Sequence, residues 1–398
     1  MFRLLATACL LAAALSLTAC GDGNPDNRIA GTVLSVYMSL PLEGELGDEG
    51  EEIANAAKLA LADADGKAGA FELNLTILDD TAGRPARWTP GEAAANARRA
   101  SQDSRTIAFI GDFNSGATRI SLPILNQAGI AQVSPASGAV ELTREVEAAP
   151  NSPERFYPTG RRTFARLVPD DGLQARAAAT WASDLDVSDV AVIRAQDGTF
   201  ARVSADAFTE KARDEGIDVG RTVDGGPGAA SKVADADAVY YAGEPDDDTL
   251  STLRALLRRD VTVFASDAVL LDADLIDKLG SAADNLRLTG AALPVSELGA
   301  EGRRFARAYE RQFGSEPGPY AAYGYEAMAL LIETIRAAGV DGSDRPTVIR
   351  RLQATSERDS VLGRYSITGD GDTTLDRIAG FEIRDGRPSL DRVLEPGD

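Results

Sequence analysis

The 398-residue chain contains no histidine. That absence removes Ser-His-Asp and Cys-His catalysis, histidine general bases and histidine-ligated zinc. Cysteine is nearly missing as well. The two that occur, Cys9 and Cys20, both lie at the extreme N-terminus, so the body of the chain holds no disulfide, redox pair or thiolate metal site. Positive charge is scarce: 41 Lys and Arg stand against 62 Asp and Glu, for a formal net charge of -21. Phosphate binding needs a basic face, and this balance argues against any nucleic-acid role. Long apolar runs are also absent. The longest, residues 4–15, is shorter than the roughly 20 residues of a bilayer span. What remains is an ordinary soluble composition, 44% apolar and 26% charged, with enough apolar residues for a sizeable core. Its length suggests two or three globular units.

The N-terminus reads as an export signal. Met1-Phe2-Arg3 gives a positive start, residues 4–15 form an h-region, and Leu17-Thr18-Ala19-Cys20 follows before Gly21. This last segment resembles the bacterial lipobox, which implies a signal peptide over residues 1–19 and a lipidated Cys20 at the mature N-terminus. Residues 20–30, rich in Gly, Asp, Asn and Pro, are expected to form a flexible tether. Two acyl chains on such a residue hold a protein firmly at a membrane surface.

The body alternates between two periods. Residues 33–40 read as a buried strand, and residues 51–65 place Ile53, Ala56, Ala57, Ala60, Leu61 and Ala64 on one helical face. Strands follow at 71–78, 106–110 and 129–133, with helices at 90–101 and from 115 to 126. A loop-rich stretch, 143–162, carries three prolines. The alternation then resumes with helices at 173–185, 200–215 and 247–259, and strands at 189–194, 218–223, 238–242 and 261–265. Two more elements follow near 270–279 and 286–291, then helices at 297–313, 320–338 and 346–354 and a strand-and-turn tail from 363 to 394. This order predicts an α/β fold with two sets of parallel strands flanked by helices, one set per lobe.

Several segments in this order resemble the type I periplasmic solute-binding proteins, in the leucine/isoleucine/valine-binding branch that serves ABC importers. They are SLPLEGELGDEGEEIANAAKLALADADG (39–66), LTILDDTAG (75–83), TIAFIGDFNSGATRISLPILNQAGIAQVSPASGAVELT (106–143), ADAFTEKARDEGI (205–217), AVYYAGEPDD (238–247) and YAAYGYEAMALLIE (320–333). The resemblance implies two α/β lobes joined by three hinge crossings. Lobe 1 is expected to hold residues 31–167 and 292–357, and lobe 2 residues 168–291 and 358–398. It also implies a ligand between the lobes. Ser115 matches the serine that takes the ligand carboxylate, Ala136 a backbone contact, and Asp267 the partner of the α-ammonium group. Physical reasoning supports the same place, because ligands in such sheets sit at the carboxyl ends of strands, where helix N-termini point.

The chain departs from the family at Gly138, where a Thr is usual, at Phe200 and Leu46, where Tyr is usual, and at Glu244, which replaces an aromatic residue. Glu244 adds negative charge near the expected cleft. Two readings stay open for it: it meets a cationic or amide-bearing part of the ligand, or it caps the next helix.

Other motifs read blandly. Gly111 to Thr118 has P-loop glycine spacing, but Ala117 stands where the lysine is needed. Asp370, Asp372 and Asp376 hint at a calcium loop that lacks its glycine and glutamate, so an acidic turn is expected. Asp79-Asp80 is expected to close a strand rather than act as an acid/base pair, since consecutive strand residues face opposite ways. Tyr320, Tyr323, Tyr325 and Met328 are expected to pack a helix, and two readings stay open for Trp88, in an expected loop: ordinary packing, or lining the mouth of the cleft. No metal or cofactor site is expected. By resemblance the protein is a monomeric, lipid-anchored receptor that delivers an amino-acid-like solute to an ABC permease. Its alternative is a ligand-responsive sensor or cell-wall-enzyme activator built on the same fold.

Overall fold

A computed structural model describes residues 27–195 and 198–397. The expected signal peptide, Cys9, Cys20 and most of the tether lie outside the described residues. The apolar run Val33–Leu40 forms β1, buried along nearly its whole length. A strand buried on both faces is what a parallel sheet covered by helices demands. After it come α1 (Gly47–Asp63), β2 (Lys67–Ala68), β3 (Phe71–Asp79), the short strands β4 (Thr81–Ala82) and β5 (Arg87–Trp88), α2 (Pro90–Gln102), β6 (Thr106–Gly111), α3 (Ser115–Gln127), β7 (Ala131–Ser134) and β8 (Phe164–Arg166). Helix α2 begins where Thr89 accepts the Glu92 N–H and Pro90 takes the first helical position. The first sheet runs β2-β3-β1-β6-β7-β8. Its pairs are parallel except β2 on β3.

The second series is α4 (Asp171–Asp184), β9 (Asp189–Arg194), α5 (Thr199–Asp214), β10 (Asp218–Asp224), α6 (Ala229–Lys232), β11 (Ala238–Ala242), α7 (Thr249–Leu257), β12 (Thr262–Ala265), α8 (Asp267–Leu270), α9 (Ala273–Leu279) and β13 (Leu286–Gly290). Helices α10 (Ala300–Phe313), α11 (Pro319–Ala338) and α12 (Arg345–Gln353) follow. The hairpin β14 (Arg358–Ser360) and β15 (Gly363–Tyr365) and the closing strands β16 (Ile378–Arg384) and β17 (Arg387–Leu394) complete the chain. The second sheet runs β10-β9-β11-β12-β13-β16-β17. It is parallel as far as β13, but β16 and β17 add to it antiparallel. The expectation of a parallel sheet is corrected at that edge: a two-residue Asp385-Gly386 turn joins β16 to β17, and a loop that short permits only an antiparallel pair.

The chain passes between the sheets three times: after β8, after β13, and before β16. Helix α11 packs along α1 on the first sheet. The hairpin stays with this lobe, because Arg358 Nε (2.6 Å) and the Tyr365 hydroxyl (2.7 Å) both donate to Glu326 of α11. We therefore place the third passage between residues 365 and 378, beyond the limit at 357/358 expected from the resemblance. The second lobe has its own aromatic core, with Phe208 stacked on Tyr240 at 4.1 Å and Trp181 edge-on to Phe264 at 6.0 Å.

Beside the first passage lies the buried Arg166. Its Nε donates to Asp372 Oδ1 (2.7 Å), and its Nη1 donates to the carbonyls of Ala139 (2.8 Å) and Ser137 (3.3 Å). The segment after β7 is thereby fixed to the tail of the chain. The acidic turn expected around Asp372 is an anchor for this arginine.

Candidate ligand-binding cleft

A cleft of about 460 Å3 opens between the two sheets at the carboxyl ends of their strands. From the first lobe it is lined by the loop after β1, the β4–β5 hairpin, the start of α3, the loop after β7 and the start of α11. The second lobe contributes the starts of α4, α5 and α8 and the loop after β11. All six residues expected at a binding site line it: Ser115, Ala136, Gly138, Phe200, Glu244 and Asp267. Leu46 and Trp88 do so too.

The floor on the first lobe is the N-terminus of α3. An α-helix leaves its first N–H groups without internal partners and carries positive potential there. The Ser115 Oγ accepts the Ala139 N–H (3.1 Å), so its own O–H remains to donate into the cleft. Below it, Ser134 Oγ accepts the N–H groups of Ala136 (3.2 Å) and Ser137 (2.9 Å) and donates to the Asp112 carbonyl (2.8 Å). The Ala136–Ala139 segment is thus held from beneath by serines and from behind by Arg166. This arrangement suits a ligand carboxylate.

On the second lobe, Asp267 opens α8. Burial pushes its carboxyl up, and hydrogen bonds hold it back; the Tyr320 hydroxyl donates to its Oδ2 at 2.9 Å. Tyr320 stands edge-on to Phe113 at 5.0 Å and lines the cleft. The expectation that it only packs its helix is corrected: it crosses to the other lobe. Tyr323 and Met328 are buried in the core as expected.

Asp171, at the start of α4, is a lining residue that sequence reasoning missed. Burial, then the charge of Asp267, pushes its carboxyl well up. Among the described residues no donor hydrogen-bonds this carboxylate. Its seat explains Gly138: a Cβ at that position would stand 2.1 Å from Asp171 Oδ1. A side chain at residue 138 and the Asp171 carboxylate in its present position cannot both be accommodated.

Trp88 belongs to a strand rather than a loop, pairing with Thr81, and lines the cleft as well as packing. Its indole lies against the start of α3, where a Cβ on Gly116 would come within 2.3 Å of the ring. Glu244 is exposed and faces the cleft. It does not cap α7. That end is organised by Asp246, whose Oδ1 accepts the Thr249 hydroxyl (2.8 Å) and whose N–H donates back to it (2.7 Å).

Electrostatically the cleft is acidic. Six carboxylates line it (Glu43, Glu45, Asp171, Glu244, Asp267, Asp272) with two cations, Arg87 and Arg119. Arg119 already donates to Glu141 at 2.8 Å. Among the described residues no three His, Cys, Asp or Glu side chains are arranged to hold a metal ion, and no helix is long and apolar enough to cross a membrane.

Comparison with known proteins agrees with this architecture. The family model for periplasmic binding proteins matches residues 36–387. No curated protein matches the chain. Among solved structures, a leucine-binding protein LivK of Thermotoga maritima superposes with a TM-score of 0.71 at 22% identity, over 91% of this chain and 99% of that one. An ABC transporter substrate-binding protein of Desulfitobacterium hafniense in complex with Leu gives 0.73 at 21% identity, over 90% and 99%. An ABC transporter solute-binding protein of Rhodopseudomonas palustris BisB5 in complex with 3,4-dihydroxy benzoic acid gives 0.70 at 18% identity, over 92% and 99%.

Proposed function

The chain belongs to the periplasmic binding protein family, and from that premise we propose that it is an exported solute receptor that captures an amino acid between its lobes and delivers it to an ABC importer. The observation that carries this reading is the opposed polarity of the cleft. A helix N-terminus with a free serine hydroxyl, Ser115, lies on one lobe, and the carboxylate of Asp267 lies on the other. An α-amino acid presents a carboxylate and an ammonium group that would bridge these two ends, each through a charge-assisted hydrogen bond. Because each lobe supplies only one end, the bridged state favours closure, and binding shifts an open–closed equilibrium. Ala136 and Gly138 line the carboxylate end, and Phe200 and Glu244 line the opposite wall. The cleft offers shape and charge complementarity to a bound solute, and none of its groups is needed for bond making. The permease is its downstream partner, and the chain acts as a monomer.

Replacing Asp267 by Ala is expected to cost about 3–5 kcal/mol of amino-acid binding, as for other broken buried ion pairs. Titration calorimetry with a panel of amino acids measures it, and an unchanged affinity removes Asp267 from the site.

The leader places the receptor at a membrane surface through lipidated Cys20, facing the periplasm or the outer surface. Cell fractionation of Cys20→Ser checks the anchor. The variant is expected in the soluble fraction, and retention on membranes refutes lipidation at that residue.

A further inference from the structure

Resting on the amino-acid reading above, we infer that the solute is a basic amino acid, whose side-chain cation is met by Asp171 and the acidic rim of the cleft. The α-ammonium group of any amino acid balances one carboxylate, and Asp267 is placed for it. Asp171 is then left over. It lines the same cleft, is partly exposed there, feels the charge of Asp267 and, in the opposite sense, that of Arg166, and has no hydrogen-bond donor among the described residues.

A carboxylate with no hydrogen-bond donor is costly once a solute has excluded water, and it is relieved either by holding a proton or by meeting a cation. The rim decides between the two. Glu45, Asp272 and Glu244 add further negative charge around the opening, and burial together with Asp272 already pushes the Glu45 carboxyl up. The nearby cations do not cancel this charge: Arg119 is engaged by Glu141, Arg166, whose charge reaches Asp171, is paired with Asp372, and Arg87 is the one other lining cation for six carboxylates. A neutral side chain such as that of leucine would add nothing to offset this excess of negative charge. An ammonium or guanidinium on the solute would offset it.

The glycine at 138 belongs to the same device. A Cβ there would meet the Asp171 carboxylate where it now lies and force it to turn away.

Titration calorimetry of the purified protein with L-arginine, L-lysine, L-leucine and L-glutamine tests this. The expected result is that arginine or lysine binds at least about tenfold tighter than leucine and glutamine. Asp171→Asn should lower the affinity for the basic amino acid about tenfold, and by a larger factor than it changes that for leucine. If that variant does not fold, Glu244→Gln, on the exposed rim, takes its place, with a loss of about threefold for arginine and a smaller change for leucine. Leucine or glutamine binding as tightly as the basic pair overturns the inference and leaves the amino-acid reading standing. So does arginine affinity that neither variant changes. Binding of none of the four overturns both.

Discussion

At the scale of single residues, two adjacent aspartates show how much position decides. Asp79 ends β3 and is fully used: it accepts the N–H groups of Leu42 and Thr81 (both 3.0 Å) and the Thr81 hydroxyl (2.8 Å). Asp80, one residue on, points the other way into the core, where neither of its oxygens has a partner. Burial first, then the charges of Asp112 and Asp79, pushes its carboxyl up to about 8. Burial likewise pushes the neighbouring Asp112 up to about 6. A carboxyl whose pKa is raised on folding favours the folded state while protonated. Its contribution is full below the ordinary value of 3.8 and is lost as pH rises through the folded value. Asp80→Asn keeps the shape without the charge. The variant should therefore gain stability over the parent as pH climbs from about 4 to about 8, by several kcal/mol at the alkaline end. Urea denaturation at a series of pH values reads this gap, and a gap that stays constant with pH contradicts the assignment. The sequence shows only two identical letters here. Strand alternation says that they face apart, but not which of them meets a second carboxyl.

At the scale of elements, the long pieces were legible and the short ones were not. Strands such as β1 and β6 are continuous apolar runs because helices cover both faces, and that signature survives in sequence. Two-residue strands carry no period, so the β4–β5 hairpin around Arg84-Pro85-Ala86 read as loop, and the place of Trp88 in a strand was lost with it. Tyr320 has helical spacing to Tyr323, which reads correctly as one face of α11. That its hydroxyl reaches Asp267 depends on how another lobe docks, and periodicity within one helix holds no such information. Asp171 was hidden differently. It follows Asp170, whose side chain caps α4 by accepting the Leu173 N–H at 2.9 Å, and an acidic pair at a helix start is sufficiently explained by capping and the helix dipole. Only the missing Cβ at Gly138, 33 positions away by residue number, shows that the second aspartate needs space in the cleft.

At the scale of the whole molecule, two sheets and three passages between them frame one acidic cleft whose two ends have opposite polarity. The resemblance to solute-binding proteins supplied the passages and six of the lining positions. The charge balance of the chain supplied only the general acidity. Neither indicated that the cleft would hold more carboxylates than one ammonium group can answer. On the proposed reading, the halves of the receptor approach when one small molecule joins the α3 N-terminus to Asp267. Small-angle X-ray scattering of the protein, alone and with whichever amino acid of the panel binds tightest, tests this most directly. The expected result is a smaller radius of gyration in the saturated protein, and loss of that change in Asp267→Ala at the same solute concentration. A saturated protein with the dimensions of the free one would contradict it.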